Sequence, residues 1–214
     1  MTRRLTLTFD NGPMPGVTET VLDVLAERGI ATTFFVVGTD LRLPGRRGLL
    51  ERAKAEGHRI GNHTMTHSVL LGATDDPEAP EHEIEQQQLQ LGELASEERF
   101  FRPWGNGGLL GPHLLSPAAV DHLERGGYTL VLWNSIPRDW EDATGWPARA
   151  RADIERQDWT VVVLHDNSPA VQQLAPFLDA VLADGVELRA DFPDECVPIR
   201  RGVRVGSLDG LVAA

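Results

Sequence analysis

Cys196 is the only cysteine in the 214-residue chain. Its solitude excludes an intramolecular disulfide and any CxxC-type metal site, and its setting in Phe-Pro-Asp-Glu-Cys-Val-Pro reads as a structural thiol. Long apolar runs are missing as well: none approaches the roughly 20 residues that cross a bilayer. Basic residues are in deficit, with 20 Lys and Arg against 32 Asp and Glu and a formal charge of -12. That field repels phosphate backbones and anionic lipid surfaces, so neither nucleic acid nor membrane is expected as a partner. There is no Gly-rich dinucleotide fingerprint, no low-complexity stretch and no linker. So little chain precedes the first apolar strand that a signal peptide has no room, and a cytoplasmic location is the expectation.

What is present is ordinary globular material, 41% hydrophobic and 24% charged, in a length that suits one sizeable domain over 1–214. Leu5, Leu7 and Phe9 alternate with Thr6 and Thr8, the period-2 pattern of a strand that ends at Asp10-Asn11-Gly12-Pro13. A helical stripe from Val17 to Leu25 follows, closed by Gly29, and then a β-branched and aromatic run from Ala31 to Val37. Leu49, Leu50 and Ala53 suggest a helix ending near Gly57, ahead of a short strand at Arg59–Gly61. Residues 75–83 read as an acidic loop, and 84–94 as a helix with a Gln-rich outer face. Strands are expected at Phe100–Phe101, Tyr128–Trp133, Trp159–Leu164 and Val186–Arg189, with helices over 117–123, 147–156 and 171–182. This is about seven β/α units, an α/β arrangement that favours a parallel sheet closed into a barrel. A full eight-unit barrel takes roughly 250 residues, so a shortened, distorted TIM-like (β/α) barrel fits better, with a flat doubly wound sheet as the runner-up.

Polar residues gather where these strands end: Asp10 and Asn11, His63 and His67, Arg102 to Trp104, Asp139 and Trp140, His165 and Asp166. Parallel barrel strands point their C-terminal ends to one face, so these groups converge there. His63 and His67 lie four apart, a spacing that on a helical turn stacks both imidazoles within reach of one ion. With the strand-end Asp-Asn pair as a third ligand, that is a metal site with an open position; the bland reading is a surface pair. His165 ends an otherwise apolar strand, where it can exchange protons with a ligand. Arg102 reads either as a surface charge or as a clamp on a carboxylate such as Asp10. Trp104 and Trp140 read as core aromatics or as the lining of a substrate groove. The 75–83 loop and the Gly-rich stretch Gly105 to Gly111 either shape that groove or are solvated loops.

Five segments in order, TFDNGP from Thr8, HTMTH from His63, RPWG from Arg102, RDW from Arg138 and VVLH ending at His165, resemble the motifs of the polysaccharide deacetylase family, the NodB-homology carbohydrate esterases. The resemblance extends through the flanking β/α segments over nearly the whole chain, and the family fold is a distorted (β/α) barrel. It implies Asp10 as catalytic base, His63 and His67 as metal-binding histidines, and Arg102 as the arginine that holds the base. It further implies the Trp104 backbone N–H as oxyanion donor, His165 as general acid, and Asp139, with Trp140 beside it, as the carboxylate that orients that histidine. The implied cofactor is a divalent transition metal, zinc first.

The chain departs from the family pattern at three places. Asn11 stands where the family has a metal-binding aspartate, which leaves a neutral amide oxygen and weakens the hold on the ion. Trp104 stands where many members have tyrosine, and Ile136 where an earlier aspartate often stands, so a more apolar pocket is expected. The function implied is hydrolysis of a C–N amide bond, most simply deacetylation of an N-acetylated sugar or other small amide. Ring-opening hydrolysis of the allantoinase or cyclic-imide type is the enzymatic alternative. A catalytically inactive carbohydrate-binding module is the reading that Asn11 keeps open.

Overall fold

Alternation along the first strand decides which way the chain faces. In the computed structural model, which describes residues 2–214, β1 (Arg4–Asp10) sends Leu5, Leu7 and Phe9 into an outer apolar layer. Thr6, Thr8 and Asp10 fall on the opposite face by the two-residue period. After β1 come α1 (Thr18–Ala26), β2 (Thr33–Val36), the single turn α2 (Gly38–Leu41), α3 (Arg46–Ala55) and β3 (Arg59–Asn62). A π-helical turn, Glu81–Glu85, runs into α4 (Gln86–Leu91) ahead of β4 (Phe100–Phe101). The chain continues through α5 (Pro117–Arg125), β5 (Thr129–Leu130), α6 (Trp146–Arg156), β6 (Trp159–His165), α7 (Leu174–Ala183) and β7 (Glu187–Arg189). It finishes with the short strands β8 (Ile199–Arg200) and β9 (Val203–Arg204).

These strands form one nine-stranded sheet in the order β6-β1-β2-β3-β4-β5-β8-β9, with β7 also paired to β1. Every pairing from β6 through to β5 is parallel, as is β1 with β7, and only the β5-β8 and β8-β9 contacts are antiparallel. The sheet curls back on itself: beyond β5, Ser135 makes an isolated parallel bridge to Val162 of β6. That bridge is the seam of a distorted barrel, and it matches the expected architecture.

Two apolar layers follow from the strand period. Phe34 and Val36 of β2 and Val162 and Leu164 of β6 pack outward with Val21, Leu22 and Leu25 of α1 and Trp146 of α6. Phe35, Val161 and Val163, on the alternate positions, join Phe101, Leu130 and Trp133 in the second cluster. α5 shows why its sequence starts a helix: the Ser116 side chain accepts from the Ala119 N–H and Pro117 takes a first-turn position, where its missing N–H costs nothing. Among the described residues no helix is long and apolar enough to cross a membrane.

Three expectations are corrected. The 75–83 segment is not all loop, because helical structure begins at Ala79 and continues into the π turn; Glu83, Ile84, Gln87 and Gln88 bury one face of it. The strand expected over Tyr128–Trp133 pairs only at Thr129 and Leu130, since Val131 and Leu132 turn their carbonyls to the Arg102 guanidinium instead. The β8-β9 hairpin carries no strong periodicity and was not expected.

Gly61 of β3 shows how tightly the layers meet: a Cβ there would lie 2.6 Å from the Phe35 ring. Gly61→Ala is therefore expected to destabilise the fold by about 1–3 kcal/mol through overpacking, read as a lower urea midpoint with an unchanged m-value.

Candidate active site

Asp10 and His165 are cross-strand partners at the C-terminal ends of β1 and β6, and both line one cleft of about 360 Å³. Asn11, His63, His67, Trp104, Trp140, Trp133, Ile136 and Asn167 share that cleft, together with the Gly105 to Gly108 loop. A volume of this size suits a small ligand or one sugar residue and its acyl group. The strand-end residues picked out by sequence thus come together, apart from Arg102, Asp139 and Asp166, which stand behind the surface.

Arg102 is one of these. It is 0% exposed, at the tip of β4, and its Nη1 donates to Asp10 Oδ1 at 2.8 Å and to Thr8 Oγ1 at 2.7 Å. Nε and Nη2 donate to the carbonyls of Val131 and Leu132. The guanidinium also lies 4.0 Å from the centroid of the Phe35 ring, a cation–π contact. The clamp reading of Arg102 is the one the geometry supports, and the surface-charge reading is not.

Asp139 is the second. Its Oδ1 is 2.7 Å from His165 Nδ1 and its Oδ2 accepts from the His165 backbone N–H at 2.9 Å. This two-point hold puts the proton on Nδ1 and leaves Nε2 as the atom free to exchange one with a ligand. Burial lowers the basicity of His165, but the hydrogen bond and charge of Asp139 outweigh it, and the pKa is raised above the ordinary histidine value. Trp140, 41% exposed, packs edge-on to His165 at 4.9 Å between ring centroids.

The histidine pair is reached by a different route than the spacing suggested. Residues 63–67 are not helical; they form a loop in which Thr64 and His67 take positive φ values of 67° and 53°. Asn62 Oδ1 accepts from the Thr64 N–H, the Thr64 hydroxyl accepts from the His67 N–H, and the Glu83 carboxylate accepts from the Thr66 N–H and hydroxyl. The outcome is still two imidazoles 4.9 Å apart, with Trp104 beside His67. A left-handed β-branched residue such as Thr64 is uncommon and persists only where its surroundings over-determine it.

The donor set can be read atom by atom. His63 Nδ1 donates to the Arg102 carbonyl at 2.9 Å, so Nε2 carries the lone pair and faces Asp10 Oδ2 at 3.6 Å. Burial lowers the pKa of His63, and burial with the neighbouring His63 pushes His67 down to about 3, so both rings are neutral ligands at neutral pH. Asn11 Oδ1 is buried without any hydrogen-bond partner among the described residues, an expensive state for an amide oxygen unless a ligand satisfies it. Asn11, at φ 77°, is thus a third donor in waiting, an oxygen beside two imidazole nitrogens.

Asp166, expected among the converging strand-end groups, is the third: it turns away from the cleft to Gly12 and Thr18. It is buried, and burial pushes its pKa up to about 6 against the hydrogen bonds from Thr18 and Gly12. Its only sequence signal was its position after a strand-end histidine.

The chain aligns at 33% identity over 177 residues, 78% of its own length and 73% of the relative's, with a chitooligosaccharide deacetylase from Rhizobium leguminosarum bv. trifolii. The family model for polysaccharide deacetylases matches residues 2–107. The chain belongs to the polysaccharide deacetylase family. Within this family it is also 29% identical over 182 residues to a peptidoglycan-N-acetylglucosamine deacetylase from Bacillus cereus, covering 84% of this chain and 80% of that one. A solved family 4 acetyl xylan esterase from Clostridium thermocellum, in complex with a cobalt ion, superposes with a TM-score of 0.71 at 25% identity over 88% of each chain.

Within the polysaccharide deacetylase family fold, the candidate ion ligands of this chain carry no formal charge. Among the described residues no three His, Cys, Asp or Glu side chains gather as a metal-ligand set, because Asn11 puts an amide where a carboxylate would complete one and Asp10 is engaged by Arg102. Two neutral imidazoles and an orphaned amide oxygen still fit a divalent transition ion, held without an anionic ligand.

Two outcomes are expected. Arg102→Met should cost about 3–5 kcal/mol in urea unfolding by stranding the buried Asp10 charge, and adding Asp10→Asn should recover part of it. Asn11→Asp should raise the ion content of protein never exposed to chelator, measured by elemental analysis; no ion in either protein after supplementation would exclude this ligand set.

Proposed function

We propose that the chain is a hydrolase that removes the acetyl group from the nitrogen of an N-acetylated amino sugar. The observation that carries this reading is the pair of opposed, separately held groups across one cleft: Asp10 on Arg102, and His165 on Asp139. Two titratable groups kept in different environments are what a reaction needing both a base and an acid requires. The named activities of the relatives, on chitooligosaccharide and on peptidoglycan N-acetylglucosamine, support the substrate class.

A divalent ion at His63, His67 and Asn11, zinc in the first instance, would supply Lewis acidity to the amide carbonyl. Asp10, with Oδ1 in the grip of Arg102, has Oδ2 free to take a proton from water as its oxygen bonds to the acetyl carbon. The Trp104 backbone N–H donates to the oxygen that becomes negative. His165 then gives the proton on Nε2 to the nitrogen as the C–N bond breaks, releasing acetate and the free amine. Asp139 holds the ring and stabilises its charged form throughout. Trp104, Trp133, Ile136 and Trp140 wall the cleft with apolar surface, which suits an acetyl methyl and the apolar face of a sugar ring.

The test is an amine-release screen over N-acetylglucosamine oligomers, acylated small amines and cyclic imides. Turnover of the oligomers is expected; turnover of cyclic imides alone would replace this reading with the ring-opening one. Sugar binding without turnover, even in ion-loaded Asn11→Asp, would leave an inactive binding module. His165→Ala should lower kcat/KM by about 10²–10⁴-fold with ion content unchanged. The acid must be protonated to act, and Asp139 raises its pKa, so wild type should hold its activity to higher pH. Asp139→Asn should move the alkaline limb of the kcat/KM profile to lower pH, and an unmoved limb would remove His165 from the role of acid.

A further inference from the structure

The mechanism leaves Asp166 without a task, although it is 1% exposed and directly follows His165. Its Oδ1 accepts from the Gly12 N–H at 2.8 Å and its Oδ2 from the Thr18 hydroxyl at 2.7 Å. Thr18 Oγ1 in turn accepts from the Met14 N–H at 2.7 Å. One carboxyl therefore grips both ends of the segment between β1 and α1, just past Asn11 and at the first residue of the helix. The fit at the near end is close: a Cβ on Gly12 would overlap the Asp166 carboxylate. The far side of the same turn is tied by the Asn11 N–H to the Phe35 carbonyl.

We propose that Asp166 is a positioning residue that sets the loop from Asn11 to Thr18, and so fixes where the Asn11 side chain stands relative to the ion. The inference rests on Asn11 being an ion ligand. Its physical need comes from the amide itself. A carboxylate offers two equivalent oxygens, so a loose loop still presents a ligand; a carboxamide offers one oxygen and one NH₂ group, which no cation accepts. With no ligand charge to pull the ion in, affinity depends on an oxygen already in place, and outer partners that orient ligands carry a large share of it. Asp166 reaches the ligand only through backbone, so it works by orientation.

The experiment compares wild type, Asp166→Ala, Asp166→Asn and Thr18→Val by calorimetric titration of the ion-free protein with Co²⁺, and by amide hydrogen exchange over residues 11–18. Asp166→Ala is expected to weaken Co²⁺ binding about 10–100-fold and to speed exchange in this segment while the strands of the sheet keep their protection. Asp166→Asn retains an oxygen for the Gly12 N–H and should keep most of the affinity. Thr18→Val, which removes one of the two grips, should fall between. Wild-type Co²⁺ affinity and wild-type exchange in Asp166→Ala, with only a lower melting temperature, would overturn the proposal. Should Asp166→Ala fail to fold, unchanged affinity and exchange in Thr18→Val would overturn it equally. Absence of Co²⁺ binding in wild type would sink the ion-binding reading instead. The exchange data would then decide alone, and unaltered exchange over 11–18 in the variants would overturn the positioning role.

Discussion

The Arg102 guanidinium is the constraint from which the rest of the site is built. It sits fully inside the curled sheet and touches three separate stretches of chain: Thr8 and Asp10 of β1, Phe35 of β2, and the carbonyls that follow β5. Its own carbonyl orients His63. A charge in that position is tolerable only when every donor has a partner, so the strand ends that supply those partners have little freedom to move. Removing one member leaves an uncompensated charge inside the sheet. Asp10, the histidine loop and the end of β5 are coupled through this one side chain.

Much of this was legible in the residues because strand-end chemistry and strand alternation are local signals. Leu5, Leu7 and Phe9 against Thr6 and Thr8 already placed Asp10 on the polar face, and Val161 to Leu164 already set His165 at a strand tip. What was not legible depended on partners distant in sequence. Arg102 looked equally like a surface charge until Thr8 and Asp10 were seen 94 and 92 positions away. The His63–His67 spacing suggested a helical turn, whereas a left-handed Thr64 and the Glu83 carboxylate build a loop with the same result. Asp166 carried no signal beyond its neighbour, since its meaning lies in Gly12 and Thr18. The shortened β5 has the same origin: a buried guanidinium claimed carbonyls that a longer strand would have used.

Asn11 bears on the charge of the site rather than on its layout. His63, Asp10 and His165 each have a holder, and the cleft has an apolar wall. The two imidazoles and the amide oxygen beside them are all neutral donors. An ion held by neutral donors is bound less tightly and withdraws electron density more strongly from what it touches. Affinity and reactivity are therefore traded against each other at a single amide.

The register between β1 and β6 has one more consequence. Asp10 and His165 are register partners on adjacent parallel strands, so their main chains stand side by side at the strand spacing of about 4.8 Å. It is a dimension of the scaffold. Trp104, Ile136 and Trp140 lie outside the strands, so the walls of the cleft belong to loops whose shape is independent of that spacing.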